Sequence, residues 1–269
     1  MKRFLRKIPL LLPVVTFIRN KYCLISVFLT GHQHYLHNFI YYKFLTSKRS
    51  KSFKVYGFKK INLLTPKEWK SFSFVVNEIY NQGSFKKDTL AEGHINLREY
   101  INMDNKKIKK HVEKLLVSKS FNLNLKNIFR KDFVVCGVQI WRNRAESFSS
   151  NIDLEVNSSF YHLDNGNHGK NRSLINIFMY LSEVNHDNGP FTFFTPEQTK
   201  LINRKFKPKT LTGLRTRKLT KQIEDFVTPE ILITKPGQAL IIDNQICMHR
   251  AGYCKSGNRD IIEILCRES

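Results

Sequence analysis

No aspartate or glutamate occurs before Glu68, whereas Lys2, Arg3, Arg6, Lys7, Arg19, Lys21, Lys43, Lys48 and Arg49 all precede it. The five cysteines, Cys23, Cys136, Cys247, Cys254 and Cys266, are odd in number and include no C-x-x-C pair. That pattern argues against a disulfide framework and a zinc knuckle, and points to a reducing cytoplasm. No apolar run reads as a membrane span. In the opening MKRFLRKIPLLLPVVTFIRN, Pro9, Pro13 and Arg19 interrupt a stretch that would need roughly 20 apolar residues to cross a bilayer. Tyr22 to Tyr42 carries no charge, but Gly31, His32, Gln33, His34, His37 and Asn38 fill its second half. No internal repeat is visible. No aromatic stacking platform is legible either, which argues against nucleic acid as a partner.

What is present is a chain of 269 residues, 41% hydrophobic, long enough to bury a substantial core. The net charge of +23 has two readings. Clustered lysines gain affinity for polyanions by releasing counterions, and a coding bias toward Lys, Asn and Ile gives the same total. The excess at the N-terminus marks residues 1–52 as a basic, aromatic extension and 53–269 as the main domain. The extension either lies on an anionic membrane surface, with its cations on the headgroups, or packs on the flank of its own domain.

Thr65-Pro66-Lys67-Glu68 carries the residues of a capping box with proline at the first helical position. Trp69, Phe72, Val76 and Ile79 then recur at helical spacing until Gly83. A second helix is expected around Asp104 to Lys119, with Ile108, Val112, Leu115 and Leu116 on one side. After Lys131 the text changes to short runs rich in branched and aromatic residues: FVVCGVQIW, LINIFMYLSEV, PFTFF, EILIT, QALIIDN, ICMH and RDIIEILC. Turn clusters such as Asp187-Asn188-Gly189-Pro190, Pro236-Gly237 and Ser256-Gly257-Asn258 separate them. Many short strands with such turns read as a sandwich or jelly roll.

In FYHLDNG, His162 and Asp164 stand two residues apart, so on a strand both aim at one point while Leu163 faces away. His111-Val112-Glu113 has the same spacing within a helical stretch, where the two side chains diverge by about 200° and read as a solvated face. His249 in ICMHRAG, after the buried-looking run Leu240, Ile241 and Ile242, is the best third ligand. Two imidazoles and one carboxylate on one face leave open positions, the arrangement of non-haem iron oxygenases, whereas zinc favours closed or three-histidine sets. Arg259, just after the Ser256-Gly257-Asn258 turn, returns beside that point with a guanidinium fork matched to a carboxylate. Arg250, adjacent to the inward His249, must point outward. His168 and His186 in turn clusters, and His32, His34 and His37 in the extension, read as solvated or packing groups.

FYHLDNG, LINIFMYLSEVNHDNGPFTFF, TKPGQALIIDNQICMHRAG and Arg259, in that order, resemble the phytanoyl-CoA dioxygenase superfamily of Fe(II)- and 2-oxoglutarate-dependent oxygenases. YGFKKINLLTPKEW resembles the segment that starts this domain, so the similarity spans about Phe53 to Cys266. The resemblance implies an α+β, mainly β fold: a double-stranded β-helix (jelly roll, cupin-like) with flanking N-terminal helices. It implies Fe(II) on His162, Asp164 and His249, the distal carboxylate of 2-oxoglutarate on Arg259, and O2 as co-reactant. Gln139 and Asn176 lie on strands that in this family often supply polar contacts to the keto-acid end. The implied reaction is hydroxylation of a small molecule with release of succinate and CO2.

Two positions depart from the family pattern. Thr195-Pro196-Glu197-Gln198-Thr199 stands where many members carry Pro-Gly-Ser-His, and Ala251 replaces a small polar residue. Between Phe194 and Ile231 a loop-rich insert carries Lys200, Arg204, Lys205, Lys207, Lys209, Arg215, Arg217, Lys218 and Lys221. It is expected to overhang the barrel mouth and favour a phosphate-, nucleotide- or CoA-linked substrate, or else to be a solvated basic loop. The alternative function is a non-catalytic jelly-roll binding protein with a basic membrane- or nucleic-acid-facing surface.

Overall fold

The computed structural model describes residues 50–87, 98–129, 132–145, 160–164, 174–206, 217–252 and 254–268. The N-terminal extension up to residue 49, His168 and the basic residues Lys207, Lys209 and Arg215 lie outside the described residues. Among the described residues, no helix is long and apolar enough to cross a membrane.

Among the described residues, ten strands form two antiparallel sheets. The larger has the order β1-β8-β5-β10-β4-β3-β2, built from β1 (Phe58–Asn62), β2 (Phe85–Lys87), β3 (Arg98–Ile101), β4 (Phe133–Arg144), β5 (Leu174–Tyr180), β8 (Gln238–Ile242) and β10 (Asn258–Glu268). The smaller has the order β7-β6-β9, from β6 (Thr192–Phe193), β7 (Glu230–Ile231) and β9 (His249–Arg250). An isolated bridge between His162 and His249 extends the small sheet by one more segment. Strand alternation divides the core into layers. Trp141, Phe178, Tyr180, Leu240, Ile242 and Ile261 meet Phe191 and Phe193 of the small sheet in one buried cluster. Their neighbours Ile140, Ile177, Met179, Ile241 and Ile262 point the other way, into a helical layer. This is the mainly β, double-sheet architecture that the run of short strands predicts.

The helical layer comprises α1 (Lys51–Tyr56), α2 (Pro66–Asn81), α3 (Lys106–Leu116) and α4 (Lys119–Ile128). α2 starts as its sequence predicts: Thr65 Oγ1 accepts from the Glu68 amide, and Glu68 Oε2 accepts from the Thr65 amide at 3.0 Å. The helix expected around Asp104 to Lys119 forms as α3, with Ile108, Val112 and Leu115 buried, and a further helix, not expected from the sequence, follows it directly. Ser118 caps a new helix by accepting from the Phe121 amide at 3.2 Å, and Phe121, Leu125 and Ile128 turn inward from it. His111 is no simple solvated face: its ring lies 5.1 Å from that of Phe72 and its Nε2 is 3.1 Å from Ser71 Oγ.

The segment expected to be a loop-rich insert contains two helices, α5 (Pro196–Phe206) and α6 (Arg217–Phe226). They cover the outer face of the small sheet, where Ile202 and Ile223 join Tyr161, Leu163, Phe194 and Met248 in a separate cluster. The cause is local. Gln198 Oε1 accepts from the Thr195 amide at 2.8 Å and Thr195 Oγ1 accepts from the Gln198 amide at 3.3 Å, a second capping box.

Beneath α2, Arg142 on β4 and Asp260 on β10 form a bidentate pair at 2.6 and 2.8 Å, with both side chains only 7% exposed. Arg142 also donates to Asn77 Oδ1 of α2 at 2.5 Å and lies 4.1 Å over the Tyr80 ring. Because side chains alternate, this pair fixes the outer face of β10 while its neighbour Arg259 turns inward.

Candidate metal and keto-acid site

His162 and His249 exchange both backbone hydrogen bonds, each at 2.9 Å, so the two imidazoles leave adjacent chains on one side. Their ring centroids are 4.4 Å apart. Asp164 is anchored by its own amide, which donates to Asn244 O at 3.0 Å. The strand alternation expected at 162–164 therefore holds: His162 and Asp164 face His249, and Leu163 is buried in the cluster beneath α5 and α6.

The hydrogen bonds fix the imidazole tautomers. His162 Nδ1 lies 2.8 Å from Phe160 O and His249 Nδ1 lies 3.0 Å from Cys247 O. A carbonyl oxygen only accepts, so both Nδ1 atoms carry a proton and Nε2 is the atom through which each neutral ring would bind a cation. These Nε2 atoms stand 3.8 and 3.6 Å from Asp164 Oδ1, and the ligand atoms of all three residues lie within 4.8 Å of one another. Burial, reinforced by the neighbouring imidazole of His162, pushes the pKa of His249 down to about 4 against the opposing pull of Asp164 and the Cys247 carbonyl. It is neutral near pH 7. Two imidazole nitrogens and a carboxylate oxygen converging in this way make a site for a cation, and the donor set suits Fe(II). Solvent reaches it past Asp164, whose side chain is 40% exposed while that of His249 is 5%.

Two supports were not legible in the sequence. Asn244, in the turn after β8, donates from Nδ2 to Asp164 Oδ2 at 3.1 Å, which leaves Oδ1 turned to the imidazoles. Phe191 stacks on the His249 ring at 5.3 Å. Outer partners of metal ligands set ligand orientation, so Asn244→Leu is expected to weaken Co(II) or Fe(II) binding by about 10- to 100-fold with the fold retained. A competition titration against a chelator checks this, and an unchanged dissociation constant contradicts it.

Arg259 is 4% exposed and faces Tyr180. Nη2 donates to Asn143 Oδ1 at 3.1 Å, and Nε is buried without a hydrogen-bond partner. Among the described residues no carboxylate pairs with it, in contrast to Arg142. Burial lowers its pKa from the usual guanidinium value. Asn176 is buried and donates from Nδ2 to Glu263 Oε1 at 2.9 Å. Gln139 lies in register with Glu263 on β4 and is exposed. Arg250 points outward as expected, bonded to Glu224 of α6 at 2.9 Å. His186 is exposed.

No protein-family model matches the chain, and no curated protein matches it in sequence. Solved structures do match. The non-haem α-ketoglutarate-dependent epimerase SnoN from nogalamycin biosynthesis aligns over 80% of this chain and 78% of its own, at 11% identity and a TM-score of 0.56. HygX from Streptomyces hygroscopicus, with nickel, 2-oxoglutarate and hygromycin B bound, aligns over 81% and 85%, at 13% identity and a TM-score of 0.54. EctD from S. alaskensis, in its apo form, aligns over 80% and 74%, at 10% identity and a TM-score of 0.54. The chain thus has the jelly-roll fold of these proteins.

Proposed function

We propose that the chain is an Fe(II)- and 2-oxoglutarate-dependent dioxygenase acting on a small molecule. One observation carries the reading: His162, Asp164 and His249 converge in the same jelly roll that buries Arg259 with no carboxylate partner among the described residues. His162, His249 and Asp164 Oδ1 would hold the iron, and Arg259 would clamp the distal carboxylate of 2-oxoglutarate. When bound, iron, 2-oxoglutarate and O2 supply oxidative decarboxylation to succinate and CO2, coupled to oxidation of the substrate, most simply its hydroxylation. The protein's part is to hold both imidazoles in one tautomer, keep Asp164 monodentate through Asn244, and line the interior with Trp141, Phe178, Phe191 and Phe193 to limit water. Asn176 and Gln139 stand on the interior side of β5 and β4 as polar groups for the keto-acid end or the substrate.

A preference for anionic substrates draws its support from the basic stretch after Phe194. Its described cations Lys200, Arg204, Lys205 and Lys221 are exposed on helices outside the small sheet. The extension before residue 50, with its cations and aromatic side chains, is the part suited to an anionic membrane surface.

Anaerobic addition of Fe(II) and 2-oxoglutarate is expected to produce the visible charge-transfer band of the chelate, and subsequent exposure to O2 to yield succinate. Arg259→Ala should raise the 2-oxoglutarate concentration required by about 100-fold, because truncating one partner of a buried charge pair costs about 2–5 kcal/mol. Folded wild-type protein that binds iron but shows neither band nor succinate would be a metal-binding jelly roll without this catalysis.

A further inference from the structure

A second guanidinium stands beside Arg259. Strand register places Arg98 of β3 opposite Asn143 of β4, and Asn143 opposite Arg259 of β10. Residues directly opposite on antiparallel strands project from the same face, so both arginines flank Asn143 on the interior side. The contacts agree. Arg98 lies 4.6 Å over the Trp141 ring and donates from Nη1 to Tyr100 Oη at 3.1 Å. Trp141 Nε1 and Arg259 Nη2 both donate to Asn143 Oδ1 at 3.1 Å. The alternate residues of the same strands, Glu99, Arg142 and Asp260, form the separate ion-paired layer under α2.

Among the described residues, neither Arg98 nor Arg259 has a carboxylate partner, although acids pair with Arg142, Arg144 and Arg250 nearby. The positive charge of Arg98 adds to burial in lowering the pKa of Arg259. Two like charges on one partly desolvated wall repel, and a shared anion removes the repulsion. Trp141 holds the Arg98 guanidinium flat and limits its rotamers, so little freedom is lost when it closes on a ligand.

We propose that Arg98 is a second cationic partner of the carboxylate held by Arg259, so that the interior end of the keto-acid site is doubly charged and selects dicarboxylates. The inference rests on the oxygenase reading above and specifies which residues of this chain read the cosubstrate.

Trp141 is one of only two tryptophans and lies beneath Arg98, which gives a binding signal independent of turnover. The test uses full-length, Fe(II)-loaded protein without oxygen. It is titrated with 2-oxoglutarate and with 2-oxopentanoate, which has the same keto-acid end but a methyl group in place of the distal carboxylate. Tryptophan fluorescence and the visible band are followed together. Arg98→Gln is expected to weaken 2-oxoglutarate binding by roughly tenfold or more, as loss of one charge-assisted contact does, and to leave 2-oxopentanoate binding as in wild type. Arg98→Lys should recover part of the loss. Unchanged 2-oxoglutarate binding in Arg98→Gln, with Arg259→Ala weakened, overturns the role of Arg98 alone. Equal weakening for both keto acids makes Arg98 a structural residue and overturns it as well. Wild-type protein that binds neither keto acid removes the oxygenase reading and this subsite together.

Discussion

Asp164→Ala is expected to abolish the charge-transfer band of the Fe(II)–2-oxoglutarate chelate and the formation of succinate. It should also weaken divalent metal binding by more than the roughly 10- to 100-fold lost when only an outer partner of a ligand is removed. The expectation follows from the charge inventory of the cleft. The imidazoles of His162 and His249 keep Nδ1 on backbone carbonyls and offer Nε2 to the cleft, so Asp164 supplies the one negative charge among the three ligands. Its neighbour Asn244 is held by backbone contacts and would survive the change, which separates a lost ligand from a lost fold. Asp164→Asn keeps the shape and the Asn244 contact region but removes the charge, and should fall between wild type and alanine. Isothermal titration with Co(II) and the visible spectrum measure both effects. Wild-type metal affinity in Asp164→Ala would mean that the convergence of these three residues is not a metal site.

Asp260→Ala is expected to cost about 3–5 kcal/mol of stability, the range for a buried ion pair broken from one side. In a domain of this size that lowers the melting temperature by on the order of 10 °C. The loss is large because Arg142 keeps its charge while losing two hydrogen bonds, leaving Asn77, the Tyr80 ring and the charge of Glu99 as weaker support. Replacing both partners by apolar residues of similar volume, Arg142→Met with Asp260→Leu, should cost less than the single change. Thermal and urea unfolding of the three proteins decide this. A fall of less than 2 °C in Asp260→Ala, on the same scale as a surface substitution, would remove the pair from the stabilising contacts.

Some of this was legible from residue order alone. The capping box at Thr65 to Glu68, the interval between His162 and Asp164, and the turn before Arg259 each express a local rule, and local rules survive folding. The same rule operated at Thr195 to Gln198, but there the flanking lysines and the scarcity of apolar residues concealed a helix whose inward side is little more than Ile202, Thr199 and Asn203. The helix from Lys119 to Ile128 carried a clear period in Phe121, Leu125 and Ile128, and was obscured because the preceding pattern ran across Val117 into Ser118. Asn244, Asn143 and Arg98 gave no comparable signal. Their importance comes from which strand lies opposite which: Asn143 matters because β3 and β10 flank β4, a fact of register set by distant segments. The comparisons with solved structures support the jelly roll, and the chemistry rests on the residues themselves.

The mutual backbone pairing of His162 and His249, an isolated bridge, ties two elements that are far apart in the chain. A cation gripped by both side chains acts as a clasp on that seam, since the margin cannot fray without surrendering two donors at once. Occupancy and rigidity then rise together: a ligand present at 100 times its dissociation constant adds about 2.7 kcal/mol to the folded state. The loaded protein is thereby the sturdier one, and iron starvation would expose it first along this border.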